Sequence, residues 1–570
     1  MNVFILFSLF ARAFTEGESA TRYHIIPRPV QLVPAEGEFT FNAETRFLIP
    51  KGTEDMKRAT GSLAERLRVA ANLDLKVEEY ETFPTEETKN VVILKLDDTI
   101  ENKEGYTLSI KESQIISTGK LPQGCFHGLT TVRQLLPPQI ESKAPVADIT
   151  WQVPQCQIVD YPLYSYRGMM LDVCRHFTPK EGVKRYIDLL AYHKMSIFHF
   201  HLTEDQGWRI EIKKYPKLTE IGAWRSRANS LYNENDDNSV GRQFVQLNEP
   251  YGGFFTQEEI KEIVAYATDR FIIVQPELEI PGHVTAALAA YPELGCTGGP
   301  YKVITSWGIF SDVFCAKDTT FQFLEDVWDE YAALFPGPMY HMGGDECPKG
   351  RWTSCQHCQQ RIKDENLRST SELQAYFVRR QAAHLAKLGK RLIGWDEIME
   401  GGLADGAAVM SWRGTHGGTQ AAKTGHDAVM TPMSHCYFDF AQATSNQNGN
   451  ETNEEGFVNP NGRGMNSFSN AITLQHVYGF EPCPSSEKDE NVRKHIIGGQ
   501  CNVWTERLPA QSNIDYNVFP RMASMCEALW TNKERKEYDH FQDRLNEIIK
   551  AYDVLGINYC KMQLKKLPVP

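Results

Sequence analysis

The sequence has too few basic residues for a nucleic-acid-binding protein. Its 570 residues include 60 Lys and Arg against 73 Asp and Glu, which gives a net charge of -13. Nucleic acids and anionic membranes attract basic surfaces, so this balance argues against both as partners. It agrees better with a neutral or cationic ligand.

Long apolar segments are also lacking after the first residues of the chain. No later stretch is long and apolar enough to span a bilayer. Residues 3–10 are almost wholly apolar, and an Ala-Arg-Ala triplet, with small residues at its first and third positions, follows at 11–13. We therefore expect residues 1–17 to be a signal peptide for the secretory pathway, leading to a secreted, lysosomal or periplasmic protein. One glycosylation sequon, at 450–452, lies in a polar stretch typical of an exposed loop, as expected of a glycoprotein.

Several catalytic signatures are missing as well. The sequence contains no HExxH motif, no Ser or Cys in a nucleophile-elbow context, and no GxGxxG between a strand and a helix. These absences argue against zinc proteases, α/β-hydrolases and dinucleotide-binding enzymes.

The cysteines number thirteen, so at least one stays unpaired if the others form disulfides. Cys355 and Cys358 form a CxxC, with Cys347 and His357 close by. A zinc site needs a second ligand pair at matching spacing, and the sequence shows none. We therefore predict a disulfide or free thiols here and no metal site, with a redox or zinc protein as the competing interpretation.

The chain divides into two main parts. Residues 18–160 mix strand-like runs with a helix from about Asp55 to Ala71 and a second helix that ends at the prolines 137 and 138. This pattern predicts a small α+β accessory domain without catalytic residues. Residues 536–570 are expected to form a helical extension that packs on the domain formed by residues 161–535.

Residues 161–535 alternate short apolar runs with amphipathic helices. Capping boxes mark two helix starts, Thr178 with Glu181 and Thr256 with Glu259. Eight such units predict an α/β fold, a (β/α)8 TIM barrel; an open doubly wound sheet, the alternative, usually carries a Gly-rich phosphate loop. The eight runs are YRGMMLDV, SIFHFHL, FIIVQPE, PMYHMGG, RLIGWDE, AAVMSW, DAVMTP and IIGGQCNVW.

Carboxylates and aromatic residues end these runs, where barrels of this kind carry out chemistry. Aromatic faces together with carboxylate and Arg hydrogen-bonding groups are what a neutral sugar requires, so the pattern favours glycoside hydrolysis. Each residue alone also fits a structural role. Trp395 could be ordinary packing, and His199 and His201 could be satisfied core histidines. Glu277 and Glu279 could be barrel-mouth ion-pair partners, and Asp396 and Glu397 could be solvated loop charges.

The motifs RGMMLDVCRHF, HLTEDQGWRIEI, PELEIPGH, HMGGDE, GWDE, SWRG, YFDF and GGQCNVWTE occur in this order. From about residue 20 to 560 the chain resembles glycoside hydrolase family 20, the β-N-acetylhexosaminidases. The resemblance implies an accessory α/β domain before the barrel, exo-acting hydrolysis of terminal β-linked GlcNAc, with GalNAc left open, and no cofactor. Chitooligosaccharides or glycoconjugates would be the substrates, and a homodimer is expected by analogy.

The resemblance also implies a retaining mechanism in which the substrate's 2-acetamido carbonyl attacks the anomeric carbon and forms an oxazolinium ion. Glu346 is then the general acid and later the base, and Asp345 orients the acetamide. Tyr437 donates its hydroxyl to the acetamide oxygen. His283 would lie behind Glu346, and Glu204 behind His283.

The remaining implied residues bind the sugar. Arg167 would bind the 3- and 4-hydroxyls, and Asp439 and Glu506 the 4- and 6-hydroxyls. Three tryptophans would wall the pocket and enclose the acetamide methyl: Trp395, Trp412 and Trp504.

Two positions depart from the family pattern. Many members carry Asp-Asp where this chain has Glu204-Asp205, and Asp where it has Glu279. We expect these changes to tune activity without abolishing it. A disaccharide-releasing relative of the lacto-N-biosidase kind stays open as an alternative. An inactive carbohydrate-binding barrel would lack Asp345, Glu346 or Tyr437, and none of these is missing.

Overall fold

The structure is a computed structural model that describes residues 20–228, 246–442 and 471–564. The expected signal peptide at 1–17 and the sequon at 450–452 lie outside the described residues. Across the described ranges, none of the helices combines the length and apolarity needed to cross a membrane.

The N-terminal domain is a mixed seven-stranded sheet, and the predicted α+β class is confirmed. The sheet order is β1-β7-β5-β6-β4-β2-β3. Two helices, Glu54–Ala70 and Pro122–Leu135, pack on each other and on the sheet. The strands are β1 (Gln31–Thr40), β2 (Arg46–Pro50), β3 (Lys76–Tyr80), β4 (Val91–Leu96), β5 (Tyr106–Ile110), β6 (Gln114–Gly119) and β7 (Gln152–Asp160).

Eight parallel strands close into a barrel, which confirms the predicted TIM-barrel fold and rules out the open sheet. Each of the eight apolar runs contributes one strand. Beyond the barrel strands, β10 (Thr203–Glu204) pairs with β11 (Gly207–Trp208), and β12 (Trp224–Ala228) with β13 (Gln246–Gly252). The barrel strands are β8 (Tyr166–Asp172), β9 (Ile197–His201), β14 (Ile273–Glu277), β15 (Met339–His341), β16 (Arg391–Trp395), β17 (Ala408–Ser411), β18 (Ala428–Met430) and β19 (Ile496–Val503).

Helices connect the barrel strands on the outside. The longer helices span Lys180–Tyr192, Gln257–Thr268, Asp318–Leu334, Thr370–Lys387, His416–Lys423, Gln511–Val518 and Arg521–Trp530. Shorter helices span Lys217–Glu220, Thr285–Ala290, Gly350–Ser354, Gln356–Asp364, Met433–Cys436, Leu474–Tyr478 and Glu490–Arg493.

Only one of the two predicted capping boxes forms. Thr256 and Glu259 cap their helix reciprocally, as predicted. The Thr178 prediction is wrong, because the helix begins one residue later than expected, at Lys180, and Pro179 occupies the cap position. Proline has no side-chain oxygen that could accept the cap hydrogen bond.

The N-terminal domain lies against the amino end of the barrel strands, and the C-terminal helix Tyr538–Leu555 bridges the two parts. In this helix Arg544 contacts Glu527 at 2.7 Å and donates to the backbone oxygen of Ile25 at 2.7 Å. The carboxyl end of the barrel is therefore left to form the site.

Candidate active site

Most of the predicted site residues lie at the carboxyl ends of the barrel strands or in the segments that follow them. Because the strands are parallel and the barrel is closed, these ends converge on one opening. Eleven side chains stand there: Glu204 and Asp205 after β9, His283 after β14, Asp345 and Glu346 after β15, Trp395 at the end of β16, Trp412 after β17, Tyr437 and Asp439 after β18, and Trp504 and Glu506 after β19.

A glycine just before the adjacent acids Asp345 and Glu346 helps to explain how they are presented. Gly343 has φ +64°, and a Cβ there would lie 1.8 Å from Oε2 of Glu279. Only glycine allows the chain to pass so close to the buried carboxyl group. Glu346 itself has φ +44°, a conformation that costs a non-glycine residue energy and is concentrated at functional sites.

His283 connects two pairs of carboxylates. Its Nδ1 lies 2.8 Å from Oε1 of Glu204 and 3.1 Å from Oδ2 of Asp205. Its Nε2 lies 3.4 Å from Oε2 of Glu346 and 3.8 Å from Oδ2 of Asp345. Burial alone would lower the pKa of His283, but the facing carboxylates raise it well above its usual value. The imidazolium form therefore prevails at neutral pH.

A network of buried ion pairs holds Glu204 behind His283. Oε2 of Glu204 lies 3.0 Å from Nη2 of Arg175 and 3.3 Å from Nε2 of His201. Burial would raise the pKa of Glu204, but Arg175 and His283 hold it well below the usual range. Glu204 is thus a fixed negative charge that favours the protonated form of His283.

Glu277 fills a structural role of the kind considered from the sequence. One of its oxygens contacts Nε2 of His199 at 3.0 Å and Nδ1 of His201 at 2.6 Å, and the other contacts Nδ1 of His341 at 2.7 Å. Glu277, His199 and His341 lie close enough to share one metal ion, but the contact with His201, whose pKa Glu277 helps to raise to about 10, already compensates the carboxylate charge.

Asp345 and Glu346 experience different environments although they are neighbours. The side chain of Asp345 is 13% exposed and that of Glu346 is 33% exposed. Burial raises the pKa of Asp345 to about 7, with His283 opposing the rise and Glu346 adding to it. The described residues offer no hydrogen-bond partner to Oδ1 of Asp345. That oxygen is therefore available to a ligand.

Four aromatic rings pack together at the same end of the barrel as the acids. The ring centroids of Trp395 and Trp504 are 5.9 Å apart, those of Tyr437 and Trp504 6.3 Å, and those of Trp412 and Tyr437 6.2 Å. Burial, with Asp345 nearby, raises the pKa of Tyr437 well above its usual value. The phenol therefore keeps its proton and remains a donor.

The interpretation of Asp396 and Glu397 as solvated loop charges is wrong. Both residues are buried. Nε1 of Trp412 donates to Oε2 of Glu397 at 2.9 Å, and Nε of Arg413 donates to Oδ1 of Asp396 at 2.9 Å. Burial, with Asp345 close by, raises the pKa of Glu397 to about 8. Glu397 therefore positions one wall of the pocket.

The prediction that Arg167 binds sugar hydroxyls is wrong. Arg167 is the second residue of β8, so it lies at the amino end of the barrel, opposite the site. Its guanidinium is fully buried and contacts both carboxylate oxygens of Glu104, at 2.5 and 3.0 Å. It also lies over the ring of Trp530. Arg167 joins the two domains and does not reach the pocket.

Arg175 is the arginine that sequence reasoning missed. It follows β8 at the carboxyl end, with Nη1 3.3 Å from Oε1 of Glu506 and its guanidinium 5.0 Å from the ring centroid of Trp504. The signal was present in RGMMLDVCRHF, which holds two arginines. The second stands three residues beyond the strand end at Asp172, where site residues of a barrel are found.

Asp439 also presents a free buried oxygen. No hydrogen-bond partner for its Oδ1 occurs in the described part of the chain. Burial, with Glu506 nearby, raises the pKa of Asp439 well above its usual range. Asp439, Glu506 and Arg175 thus place polar groups beside the aromatic pocket, as a sugar's hydroxyls require.

Comparison with known families agrees with this geometry. The model of the catalytic domain of glycosyl hydrolase family 20 matches residues 164–533, and the model of the family's domain 2 matches residues 22–161. The chain belongs to glycosyl hydrolase family 20. It is therefore a glycoside hydrolase by family, as predicted from the sequence.

Relatives within family 20 include two bacterial proteins named β-hexosaminidase. The one from Porphyromonas gingivalis is 42% identical over 94% of this chain, which spans 64% of that protein's length. The one from Vibrio furnissii is 32% identical over 89% of this chain and 76% of its own length. A crystal structure of the family 20 exo-β-N-acetylglucosaminidase from Vibrio harveyi, in complex with N-acetylglucosamine, superposes with a TM-score of 0.79 at 32% identity, covering 95% of this chain and 78% of that chain.

Proposed function

We propose that this family 20 protein is an exo-acting β-N-acetylhexosaminidase that removes terminal non-reducing β-linked GlcNAc from chitooligosaccharides or glycoconjugates. One observation carries the proposal: a buried carboxylate, Asp345, presents an unpartnered oxygen inside an aromatic pocket, directly beside the more exposed Glu346. The names of the β-hexosaminidase relatives and the N-acetylglucosamine bound to the Vibrio harveyi protein support the same activity.

Glu346 acts as the general acid. It is the more exposed acid and can meet the glycosidic oxygen, while Nε2 of His283 lies 3.4 Å from its Oε2. The imidazolium of His283, held by Glu204, stabilises the carboxylate that forms when Glu346 gives up its proton. Glu346 then accepts a proton from the water that opens the intermediate.

Asp345 acts on the acetamide. Its free Oδ1 accepts the acetamide N–H, which turns the carbonyl oxygen towards the anomeric carbon. The C1–leaving-group bond breaks as the carbonyl oxygen bonds to C1, and the nitrogen acquires positive charge that Asp345 stabilises at short range. The phenol of Tyr437 donates to the acetamide oxygen, and the tryptophan rings enclose the methyl group.

Arg175, Asp439 and Glu506 bind the remaining hydroxyls. Arg175 donates from a guanidinium already fixed by two carboxylates, so little freedom is lost on binding. Burial raises the pKa of Asp439 well above its usual range, so Asp439 can donate as well as accept, and Glu506, which pairs with Arg175, accepts. A pocket closed by three tryptophans favours release of one sugar at a time.

Hydrolysis of matched aryl glycosides tests the proposal. The protein should cleave the β-GlcNAc glycoside and leave the β-glucoside, which lacks the acetamide, essentially uncleaved. Asp345→Asn should slow the first reaction, because the uncharged amide neither orients the acetamide nor balances the charge. Equal cleavage of both glycosides, or full activity of Asp345→Asn, would refute participation of the acetamide.

We further propose that the protein enters the secretory pathway and forms a homodimer. The apolar run at 3–10 supports export, and analogy with relatives supports the dimer. N-terminal sequencing of the mature protein and sedimentation of the purified protein test these proposals. A mature protein that still begins at Met1 would contradict cleavage of a signal peptide. Sedimentation as a monomer at working concentration would contradict the homodimer.

A further inference from the structure

Four cysteines from two separate segments of the chain meet in one cluster. Cys296 and Cys315 belong to the segment after β14, and Cys355 and Cys358 to the segment after β15. All four Sγ atoms lie within 4.8 Å of one another. The distances are 3.7 Å between Cys296 and Cys358, 3.5 Å between Cys315 and Cys355, and 3.6 Å between Cys315 and Cys358.

These distances match the edges of a metal–sulfur tetrahedron. With a zinc–sulfur bond of about 2.3 Å, the sulfur–sulfur edge is about 3.8 Å, whereas bonded disulfide sulfurs lie about 2.05 Å apart. We propose that Cys296, Cys315, Cys355 and Cys358 bind one structural Zn²⁺ as four thiolates. Four protein ligands complete the coordination, so the ion has no open position for catalysis.

The surroundings of the cluster suit a ZnS₄ centre with a net charge of -2. The backbone N–H of Ala316 donates to Sγ of Cys358 at 3.5 Å. Two cations lie close by: Nε of Arg361, whose guanidinium also pairs with Asp318 and Glu365, donates to the backbone oxygen of Ala316 at 3.2 Å, and Nζ of Lys317 donates to that of Gly295 at 3.3 Å. Such outer contacts orient thiolate ligands and balance their charge.

The proposed ion would tie together the two loops that carry the catalytic relay. The segment at 296–315 makes hydrogen bonds from Phe314 N–H to the backbone oxygen of Pro281 at 3.0 Å, and from Ile304 N–H to that of Asp205 at 3.1 Å. Pro281 lies two residues before His283. The other pair of cysteines follows Glu346 by nine and twelve residues. Zinc would therefore act as a positioning element for the acid and its histidine.

The spacing of the cysteines along the chain did not predict this site. The CxxC at Cys355 has no matching pair nearby, because the second pair comes from the preceding strand–helix loop, with Cys315 forty residues earlier. Cys347, which the sequence grouped with the CxxC, is not part of the four-sulfur cluster. Two disulfides are the competing state of these four cysteines, since export would expose them to oxidation.

Metal analysis of the full chain, purified without chelators, tests the site and requires no substrate. We expect about one zinc per chain, with X-ray absorption showing four sulfur neighbours at about 2.3 Å. Cys358→Ser should lose the zinc. Cys483→Ser, which removes another buried thiol outside the cluster, should retain it.

If Cys358→Ser does not fold, zinc release from the wild-type protein replaces it. An organomercurial should release zinc, detected with a chelating dye, in step with modification of the four cysteines identified by peptide mapping. Four cysteines that resist alkylation until reduced, together with absent zinc, would overturn the proposal. So would iron in place of zinc, or zinc retained after the four thiols are blocked.

Discussion

The raised pKa of Asp345 predicts that Asp345→Asn stabilises the protein at alkaline pH while it slows catalysis. In the folded chain the pKa rises from 3.8 to about 7, through burial first, while His283 opposes the rise. Between these two values the folded carboxyl group is protonated and the unfolded one is charged. The contribution of Asp345 to stability is therefore complete below the lower pKa and is lost as pH rises through the higher one.

The size of this effect follows from the shift. About three pKa units at about 1.4 kcal/mol each correspond to about 4 kcal/mol over the whole window. A change from about pH 4.5 to about pH 8 covers about 2.5 of these pKa units, which corresponds to about 3 kcal/mol in the free energy of unfolding. For a chain of this length, with an unfolding entropy of about 2 cal/mol/K per residue, that is about 3 °C in melting temperature.

Thermal unfolding of wild type, Asp345→Asn and Asp74→Asn at the two pH values measures this effect. Asp74 is an exposed aspartate of the N-terminal domain and serves as the control. The melting temperature of Asp345→Asn relative to wild type should rise by about 3 °C from the acidic to the alkaline pH. A difference that stays constant with pH, or that matches Asp74→Asn, would refute a burial cost at Asp345.

Three further predictions address individual side chains. Glu346→Gln should lower kcat on chitooligosaccharides by about 10³-fold with little change in KM, measured by steady-state kinetics; a kcat near wild type would contradict its role as acid. Arg175→Met should raise KM about tenfold or more, whereas Arg167→Met should lower the melting temperature without altering KM. The reverse pattern would mean that Arg167, and not Arg175, binds the sugar hydroxyls. Glu279→Gln should keep kcat/KM within about tenfold of wild type, because burial raises the pKa of Glu279 and keeps it neutral.

The architecture was predictable because its signals are local. Each barrel strand is a short apolar run, helices follow most of these runs, and every one of the runs formed a strand. The Thr256 cap was equally readable, since both partners lie within one turn. The Thr178 cap was predicted wrongly because Pro179 was expected at the first helical position. In the structure Pro179 precedes that position and the helix begins at Lys180.

The errors concern contacts between residues distant in sequence. Arg167 was assigned to the sugar because it stands in a family motif, but its partner Glu104 lies 63 residues earlier. Asp396 and Glu397 resemble loop charges in the sequence, but in the fold Trp412 donates a hydrogen bond to Glu397 and Arg413 donates one to Asp396. Register along a strand decides which end a side chain occupies, and partners from other elements decide whether a charge is buried. Neither follows from composition.

The ion pair between Arg167 and Glu104 couples the accessory domain to the barrel. A barrel produced without residues 18–160 would lose both the carboxylate partner of Arg167 and the surface that buries its guanidinium. Substitution of Glu104 alone would leave the buried guanidinium without its carboxylate partner, at a cost of about 3–5 kcal/mol, so a change at one position favours a change at the other. An engineered minimal enzyme would therefore need a new surface around the first arginine of RGMMLDVCRHF, which the accessory domain covers in the full chain.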